Sequence, residues 1–317
     1  MLNILPRAAA LLFASAIALG AAPVPPATQS ETLATSEDRD RRITVPVTLA
    51  GRGPYPFLID TGAERSIMGT DLATELGLTR GPPVVLQSLS KRATVQTVKV
   101  DDLKMSRDVA HDLTMPLLST SRLGAAGIIG LDSLQGAKVL FDISGQTITV
   151  SPAKRRSKPK RADKDDNVII VTARRRQGRL VVQTARIGSR RVNVIIDTGA
   201  EMSIGNSALR TMLLGGQGER ASNMTVITDV TGQAITAEVA RLPDLRIGRL
   251  VVQDSHVALT NARVFRELGL EKQPALLLGM NAIRMLDRME IDFPNRRVTF
   301  VTDDHARRDA RKYIAAK

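Results

Sequence analysis

The sequence predicts an all-β protein built from two tandem lobes that repeat the same order of elements. Two stretches carry this prediction, because FLIDTGAERSIM at 57–68 and VIIDTGAEMSIG at 194–205 share one pattern. A second matching pair follows each of them, GIIG at 127–130 and LLLG at 276–279. Short β-branched runs separated by Gly-containing turns surround these motifs, as is typical of antiparallel strands. Because both motifs keep their order, the chain is a tandem duplication and not a long solenoid.

The first 41 residues precede this repeat. Arg7, the apolar stretch at 8–19 and the small residues at 20–22 have the layout of a signal peptide at 1–22, with cleavage near 20–22. The apolar stretch is shorter than the roughly 20 residues of a transmembrane helix. We therefore expect an exported, periplasmic or secreted protein, with an N-terminal membrane anchor as the alternative. The Pro-, Thr- and Ser-rich stretch at 23–41 predicts a disordered lead-in.

The first lobe is predicted at 42–151. It opens with a hairpin whose second strand ends at Asp60, and a short helix is expected within 69–78. Strand-like runs at 84–89 and 93–100 then flank a polar turn, and a turn of helix follows Gly130. A hairpin closes the lobe.

The second lobe is predicted at 168–302, after a charged, Pro-bearing linker at 152–167. Its strands lead to Asp197, a short helix is expected at 207–214, and a hairpin with a Thr-Gly-Gln tip follows. About a dozen extra residues lie between its Asp motif and its Gly motif. The remaining stretch, 303–317, predicts a charged tail.

Composition excludes several functional classes. The net charge is +13, but much of the excess lies in the linker and the tail, which predicts at most a weak contact with anionic surfaces. Aromatic residues make up 3% and Trp is absent, so the stacking platforms of nucleic-acid-binding proteins are missing and we expect no specific nucleic-acid binding. Three scattered histidines form no zinc-hydrolase motif, and the absence of Cys excludes a thiolate metal site.

The repeated Asp suggests the chemistry. One Asp-Thr-Gly could be an ordinary strand-to-turn sequence, in which Gly supplies a permissive backbone. Two copies, at Asp60 and Asp197, would place two carboxylates in one site by pseudo-two-fold symmetry. Such a pair cannot ionise fully at low cost, so one member is protonated while the other is ionised.

On these motifs, the sequence resembles the retropepsin-like aspartic proteases, specifically bacterial relatives of the retroviral enzymes, over about 42–150 and 168–301. Each half has Asp-Thr-Gly-Ala, then a flap hairpin, then two apolar residues and Gly before a short helix. The resemblance implies two lobes, each a small closed β-barrel with one or two short helices, and an active site between the lobes. It also implies Asp60 and Asp197 as the catalytic dyad, with no metal or other cofactor.

The resemblance assigns supporting roles to further positions. Active-site support is expected from Thr61, Gly62, Ala63, Ser66, Thr198, Gly199, Ala200 and Ser203; a buried loop behind the dyad from Gly130 and Gly279; and flap or substrate contacts from Lys91, Arg92 and Gly232. Glu64 and Glu201 stand where the retroviral enzymes have an Asp that contacts substrate backbone. The longer acid makes a structural salt bridge at least as plausible an interpretation. A Lys91-Arg92 flap tip would favour acidic or polar substrates.

The sequence thus predicts an endopeptidase that acts on peptides or proteins through an intramolecular dyad. Two alternatives remain: a non-catalytic protein of the same fold that binds a peptide or partner, and a surface-associated adaptor that uses the basic linker. The lobes could also pair between chains, but the high effective concentration of linked lobes favours a monomer with pairing within one chain.

Overall fold

The structure, a computed structural model, describes residues 31–38, 42–105, 108–153, 167–215 and 223–302. The predicted signal peptide, nearly all of the predicted linker and the predicted tail lie outside these residues. Within the described part of the chain, no helix is both long and apolar enough to cross a membrane.

The first lobe consists of short strands and three short helices among the described residues. They are β1 (Glu31–Ala34), β2 (Ser36–Glu37), β3 (Ile43–Leu49), β4 (Arg52–Ile59), β5 (Ile67–Gly69), α1 (Thr70–Glu75), β6 (Arg80–Gln87), β7 (Arg92–Met105), β8 (Asp108–Leu118), α2 (Thr120–Leu123), β9 (Gly127–Ile129), α3 (Leu131–Leu134), β10 (Ala137–Asp142) and β11 (Thr147–Pro152).

The second lobe repeats this order with some strands divided. Its elements are β12 (Val168–Thr172), β13 (Arg174–Arg176), β14 (Arg179–Ile187), β15 (Arg190–Ile196), β16 (Ser203–Gly205), α4 (Ser207–Leu214), β17 (Asn223–Thr228), β18 (Ala234–Leu242), β19 (Leu245–Ile247), β20 (Leu250–Val252), β21 (Ser255–Leu259), α5 (Arg263–Glu267), β22 (Ala275–Leu278), α6 (Met280–Ile283), β23 (Arg288–Asp292) and β24 (Arg297–Val301).

Each lobe is a small barrel. In the first lobe the sheet order β3-β4-β9-β5-β8-β7 closes on itself, because β7 also pairs with β3. In the second lobe the order β18-β21-β16-β22-β15-β14 closes in the same way, because β14 pairs with β19. Strand β19 continues β18 after a break at Pro243-Asp244. The all-β, two-lobe prediction is confirmed. The predicted helices correspond to α1, α3, α4 and α6, and the structure adds α2 and α5, about one turn each.

A six-stranded antiparallel sheet joins the lobes in the order β1-β11-β10-β23-β24-β12. Its central pair, β10 and β23, comes from different lobes and sets Lys138 opposite Asp292 and Asp142 opposite Arg288. The Arg288 guanidinium lies 2.9 Å from the Asp142 carboxylate. Alternating residues of these strands, such as Phe141 and Met289, are fully buried in a core cluster that contains residues of both lobes. The sheet thereby fixes the two half-sites relative to each other.

The lead-in predicted to be disordered at 23–41 is ordered in part, which corrects that prediction. Strand β1 pairs with β11, and the Thr32 and Thr149 hydroxyls are 2.7 Å apart. Strand β2 pairs with the start of β3. Edge position explains the difference, because β1 gains a backbone ladder from β11 and packs only Leu33 against the core. Such a strand needs no apolar periodicity of its own.

Candidate active site

The two Asp residues lie at equivalent points of the two lobes. Strand β4 runs parallel to β9 and ends directly before Asp60, whose N–H donates to the Ile129 carbonyl at 3.0 Å. Strand β15 runs parallel to β22 and ends directly before Asp197, whose N–H donates to the Leu278 carbonyl at 3.1 Å. The last three residues of each strand, 57–59 and 194–196, are apolar and buried, so each Asp directly follows a segment that is anchored in the core.

Two threonines lock the Asp loops together across the lobe boundary. The Thr61 hydroxyl donates to the Ile196 carbonyl at 2.8 Å and accepts from the Thr198 N–H at 3.2 Å. Reciprocally, the Thr198 hydroxyl donates to the Ile59 carbonyl at 2.6 Å and accepts from the Thr61 N–H at 3.1 Å. Both side chains are buried. All four bonds cross between lobes, so neither loop has this arrangement without the other.

The adjacent glycines allow the carboxyl groups to approach. A Cβ atom at Gly62 would lie only 2.6 Å from the Asp197 Cγ, and one at Gly199 would overlap the Asp60 carboxyl group. Each carboxyl group also accepts from its own loop: Asp60 Oδ1 from the Gly62 N–H at 2.7 Å, and Asp197 Oδ1 from the Gly199 N–H at 3.0 Å. Each Asp therefore lies directly over the glycine of the other half-site.

This proximity shifts the titration of both groups. Burial raises the pKa of Asp197, and the charge of Asp60 raises it further, to about 7. Burial also raises the pKa of Asp60, although the Gly62 and Ala63 N–H groups and the Arg179 charge oppose the shift. The two carboxyls titrate as a pair, so the site retains a proton over a pH range in which exposed Asp side chains are ionised.

Ser66 connects the end of the Asp60 loop to the segment around Gly130. Its hydroxyl donates to Asp132 Oδ1 at 2.7 Å and accepts from the Gly130 N–H at 3.0 Å. A Cβ atom at Gly130 would clash with the Arg65 carbonyl carbon. The backbone closes the same contact, because the Leu131 N–H donates to the Ala63 carbonyl at 2.9 Å.

The second half-site repeats these contacts with one substitution. The Ser203 hydroxyl donates to Asn281 Oδ1 at 2.8 Å and accepts from the Gly279 N–H at 3.1 Å, and the Met280 N–H donates to the Ala200 carbonyl at 2.8 Å. The partners Asp132 and Asn281 were not identified from the sequence. Their equal spacing, two residues after Gly130 and Gly279, was the available signal.

Arg179 is a further residue at this site, and it was not predicted from the sequence. Its side chain is buried and crosses to the other lobe, where Nε donates to the Gly62 carbonyl at 2.7 Å and a terminal nitrogen lies 2.9 Å from Glu64 Oε1. Glu64 therefore forms the structural salt bridge that was one of its two interpretations. The signal was positional, because Arg179 and Arg42 stand 18 residues before Asp197 and Asp60. Glu201 lies in the matching loop, where its carbonyl accepts from the Asn281 N–H at 2.9 Å.

The predicted flap residues lie at the tips of two hairpins. The first flap is β6–β7 with its turn at 88–91, and the second flap is β17–β18 with its turn at 229–233. Lys91 Nζ lies 3.2 Å from Gln233 Oε1 of the second flap, whereas Arg92 is exposed at the start of β7. Gly232 has a φ of +80° and leaves room for Arg122, whose guanidinium donates to the Thr231 carbonyl at 2.9 Å. The structure thus brings Lys91 into contact with the second flap, whereas Gly232 lies against Arg122 of helix α2 in the first lobe.

Comparison with protein families agrees with this geometry. Residues 45–133 and 182–282 match the model of the family described as aspartyl protease. The two matched segments cover more than half of the chain and correspond to the two lobes. No curated protein matches the sequence significantly. On the family match, the chain belongs to the aspartyl protease family.

Proposed function

We propose that the protein is an aspartic endopeptidase whose single active site combines Asp60 of the first lobe with Asp197 of the second. The observation that carries this proposal is the reciprocal placement of each carboxyl group over the other loop's glycine, with the Thr61 and Thr198 bonds holding the loops in register. This arrangement supports general acid and base catalysis by two coupled carboxyls.

In the proposed reaction the pair begins with one shared proton. The ionised carboxylate takes a proton from a water molecule, whose oxygen attacks the scissile carbonyl carbon, while the protonated carboxyl donates its proton to the carbonyl oxygen. The resulting tetrahedral diol then collapses. The C–N bond breaks, the leaving nitrogen takes a proton from one carboxyl, and a diol hydroxyl returns its proton to the other. The pair ends as it began, with one proton.

We further propose that the chain is a fused form of the two-half-site architecture found in retroviral enzymes, and a bacterial relative of them. The duplicated Asp-Thr-Gly-Ala motif, with the repeated Ser66 and Ser203 contacts, supports this relation. Its substrates would be peptides or proteins outside the cytoplasm, since residues 1–22 have the composition of a signal peptide.

The non-catalytic alternative would require the dyad to be dispensable. Both Asp-Thr-Gly triplets are intact, and Asp197 has a pKa of about 7, which is suited to proton transfer. These features favour the enzyme over a peptide-binding protein of the same fold. Nearly all of the linker on which the adaptor alternative depends lies outside the described residues.

The test is incubation of the mature chain with a peptide library between about pH 3 and pH 8, with and without a pepstatin-type inhibitor. We expect inhibitor-sensitive internal cleavage that the Asp197→Asn variant lacks. Exposed Asp244→Asn is the matched control and should cleave normally. If the mature chain cuts nothing at any pH, or if Asp197→Asn cuts as well as the wild type, the proposal is wrong.

A further inference from the structure

One carboxylate at the tip of the second flap is placed to act on both flaps. Asp229 is only 4% exposed. Its Oδ1 accepts from the Thr231 N–H at 2.9 Å, the Thr231 hydroxyl at 2.6 Å and the Gln233 N–H at 3.1 Å, all within its own turn. Its Oδ2 accepts from the hydroxyl of Ser90, in the turn of the first flap, at 2.5 Å. One oxygen therefore organises the second turn while the other binds the opposite flap.

A buried carboxylate is stable only when hydrogen bonds replace its hydration. Burial acts to raise the pKa of Asp229, but the bonds from Ser90, Thr231, Ser88 and the Gln233 N–H outweigh it and lower this pKa to about 2. Asp229 is therefore ionised at any pH at which the enzyme would work. Since Ser90 and Ser88 belong to the first flap, separating the flaps removes part of the compensation for this charge.

Apolar contacts anchor the tip of each flap on the opposite lobe. Leu89 of the first flap packs against a cluster of the second lobe that includes Ile195 and Phe265, and its carbonyl accepts from the Arg263 N–H at 2.8 Å. Conversely, Val230 of the second flap packs against a cluster of the first lobe that includes Leu58 and Leu123. Each tip thus lies on the opposite lobe, and the tips cross where Ser90 meets Asp229.

We propose that Asp229 is a positioning residue that holds the two flap tips together through Ser90 and keeps the cleft over the dyad closed on bound peptide. The inference rests on the proposed function, because closure matters for catalysis only if the dyad is active. The latch is asymmetric: the first flap supplies hydroxyl groups and the second a carboxylate, whereas the two Asp loops are equivalent. Asp229 acts through the flaps and not on the reacting atoms.

The decisive variant is Ser90→Ala. It removes the bond from Ser90 to Asp229 and leaves the three Asp229 contacts within the second turn in place. Losing a hydrogen bond to a charged group should raise KM by about tenfold, with kcat changed by less than about threefold. Ser90→Thr keeps the hydroxyl and should restore the wild-type KM. Thr228→Ala, an exposed change on the same hairpin, is the matched control.

A second readout does not need activity. In the inactive Asp197→Asn background, Ser90→Ala should speed amide hydrogen exchange in both flap turns and at Arg263, while exchange in the barrel strands stays unchanged. Adding Asp229→Ala to Ser90→Ala should have less effect than Asp229→Ala has alone, because the two changes remove the same bond. If Ser90→Ala leaves flap exchange at the wild-type rate, the latch is wrong. If Ser90→Ala speeds flap exchange and the chain with both Asp60 and Asp197 intact cleaves no peptide, the latch is supported and the protease is rejected.

Discussion

At the residue scale, the Thr61 and Thr198 hydroxyls carry much of the contact between the two Asp loops. Replacing Thr198 with Val keeps the shape of the side chain but leaves the buried Ile59 carbonyl and Thr61 N–H without their partner. Because each of these two unsatisfied buried groups costs about 1–3 kcal/mol, we expect the free energy of unfolding to fall by about 2–6 kcal/mol. Urea denaturation measures this change. Thr198→Ser should retain most of the stability, and a Val variant as stable as the wild type would contradict the account.

The raised pKa values predict where activity declines. With the pKa of Asp197 at about 7, the pair loses its last proton near neutral pH, and the form that donates to the carbonyl oxygen disappears. We expect kcat/KM to fall by about tenfold per pH unit above that point. A pH profile with a cleavable peptide measures it. If kcat/KM already begins to fall below about pH 5, the two carboxyl groups are less shielded from water than the structure indicates.

The same shift has a consequence for stability. The unfolded chain releases the Asp197 proton near pH 4, whereas the folded site keeps it to about pH 7, so this group makes folding less favourable as pH rises through that window. Asn at position 197 resembles the protonated group and does not titrate. We expect Asp197→Asn to unfold at a higher urea concentration than the wild type at pH 8, and at a similar urea concentration at pH 4. The linkage would be contradicted if Asp197→Asn changed the unfolding midpoint in urea equally at both pH values, or if it lowered the midpoint at pH 8.

At the element scale, three arginines stand side by side on neighbouring strands. Arg186 of β14 lies directly opposite Arg191 of β15 and Arg246 of β19, and all three side chains are exposed. Arg186 and Arg191 also line a surface cavity of about 440 Å³ together with Arg174. Like charges in register across strands repel, so this ladder lowers the stability of the second barrel.

Arg186→Gln should therefore stabilise the protein by roughly 0.5 kcal/mol at low ionic strength. The gain should shrink in about 1 M salt, where the screening length falls to about 3 Å. Thermal unfolding at the two salt concentrations measures both effects. Arg80→Gln is the matched control, because Arg80 lies opposite Val98 and not opposite another cation. A gain that does not depend on salt would point to a cause other than charge repulsion.

Elements next to the motifs could be predicted from the sequence, and those that depend on distant partners could not. Strands β4 and β15 each end in three buried apolar residues directly before an Asp, and helix α4 was predicted with its observed bounds. In contrast, β1 is held by β11, more than 100 residues away, and its own sequence carries no strand period. The Ser90–Asp229 bond was equally hidden, because residues 139 positions apart meet only after the lobes have packed.

At the scale of the whole molecule, the central strands of the sheet between the lobes find their hydrogen-bonding partners within one chain. Strands β10 and β23 pair over five positions, and Lys138 Nζ lies 3.0 Å from Glu290 Oε2 across them. Since linked lobes meet at a high effective concentration, pairing within the chain should outcompete pairing between chains. We expect sedimentation to show a monomer at micromolar concentration. An obligate dimer would contradict this expectation.

The central claim is that one chain builds one dyad from its two lobes, and mixing two inactive variants tests it most directly. Asp60→Asn and Asp197→Asn should each lack peptide cleavage. Unfolding and refolding the two variants together should restore no cleavage, because every site formed within one chain contains one Asn. If lobes exchanged between chains, the mixture would form some sites from a wild-type Asp60 lobe and a wild-type Asp197 lobe, and activity would return. Recovered activity, or cleavage by either variant alone, would contradict the account.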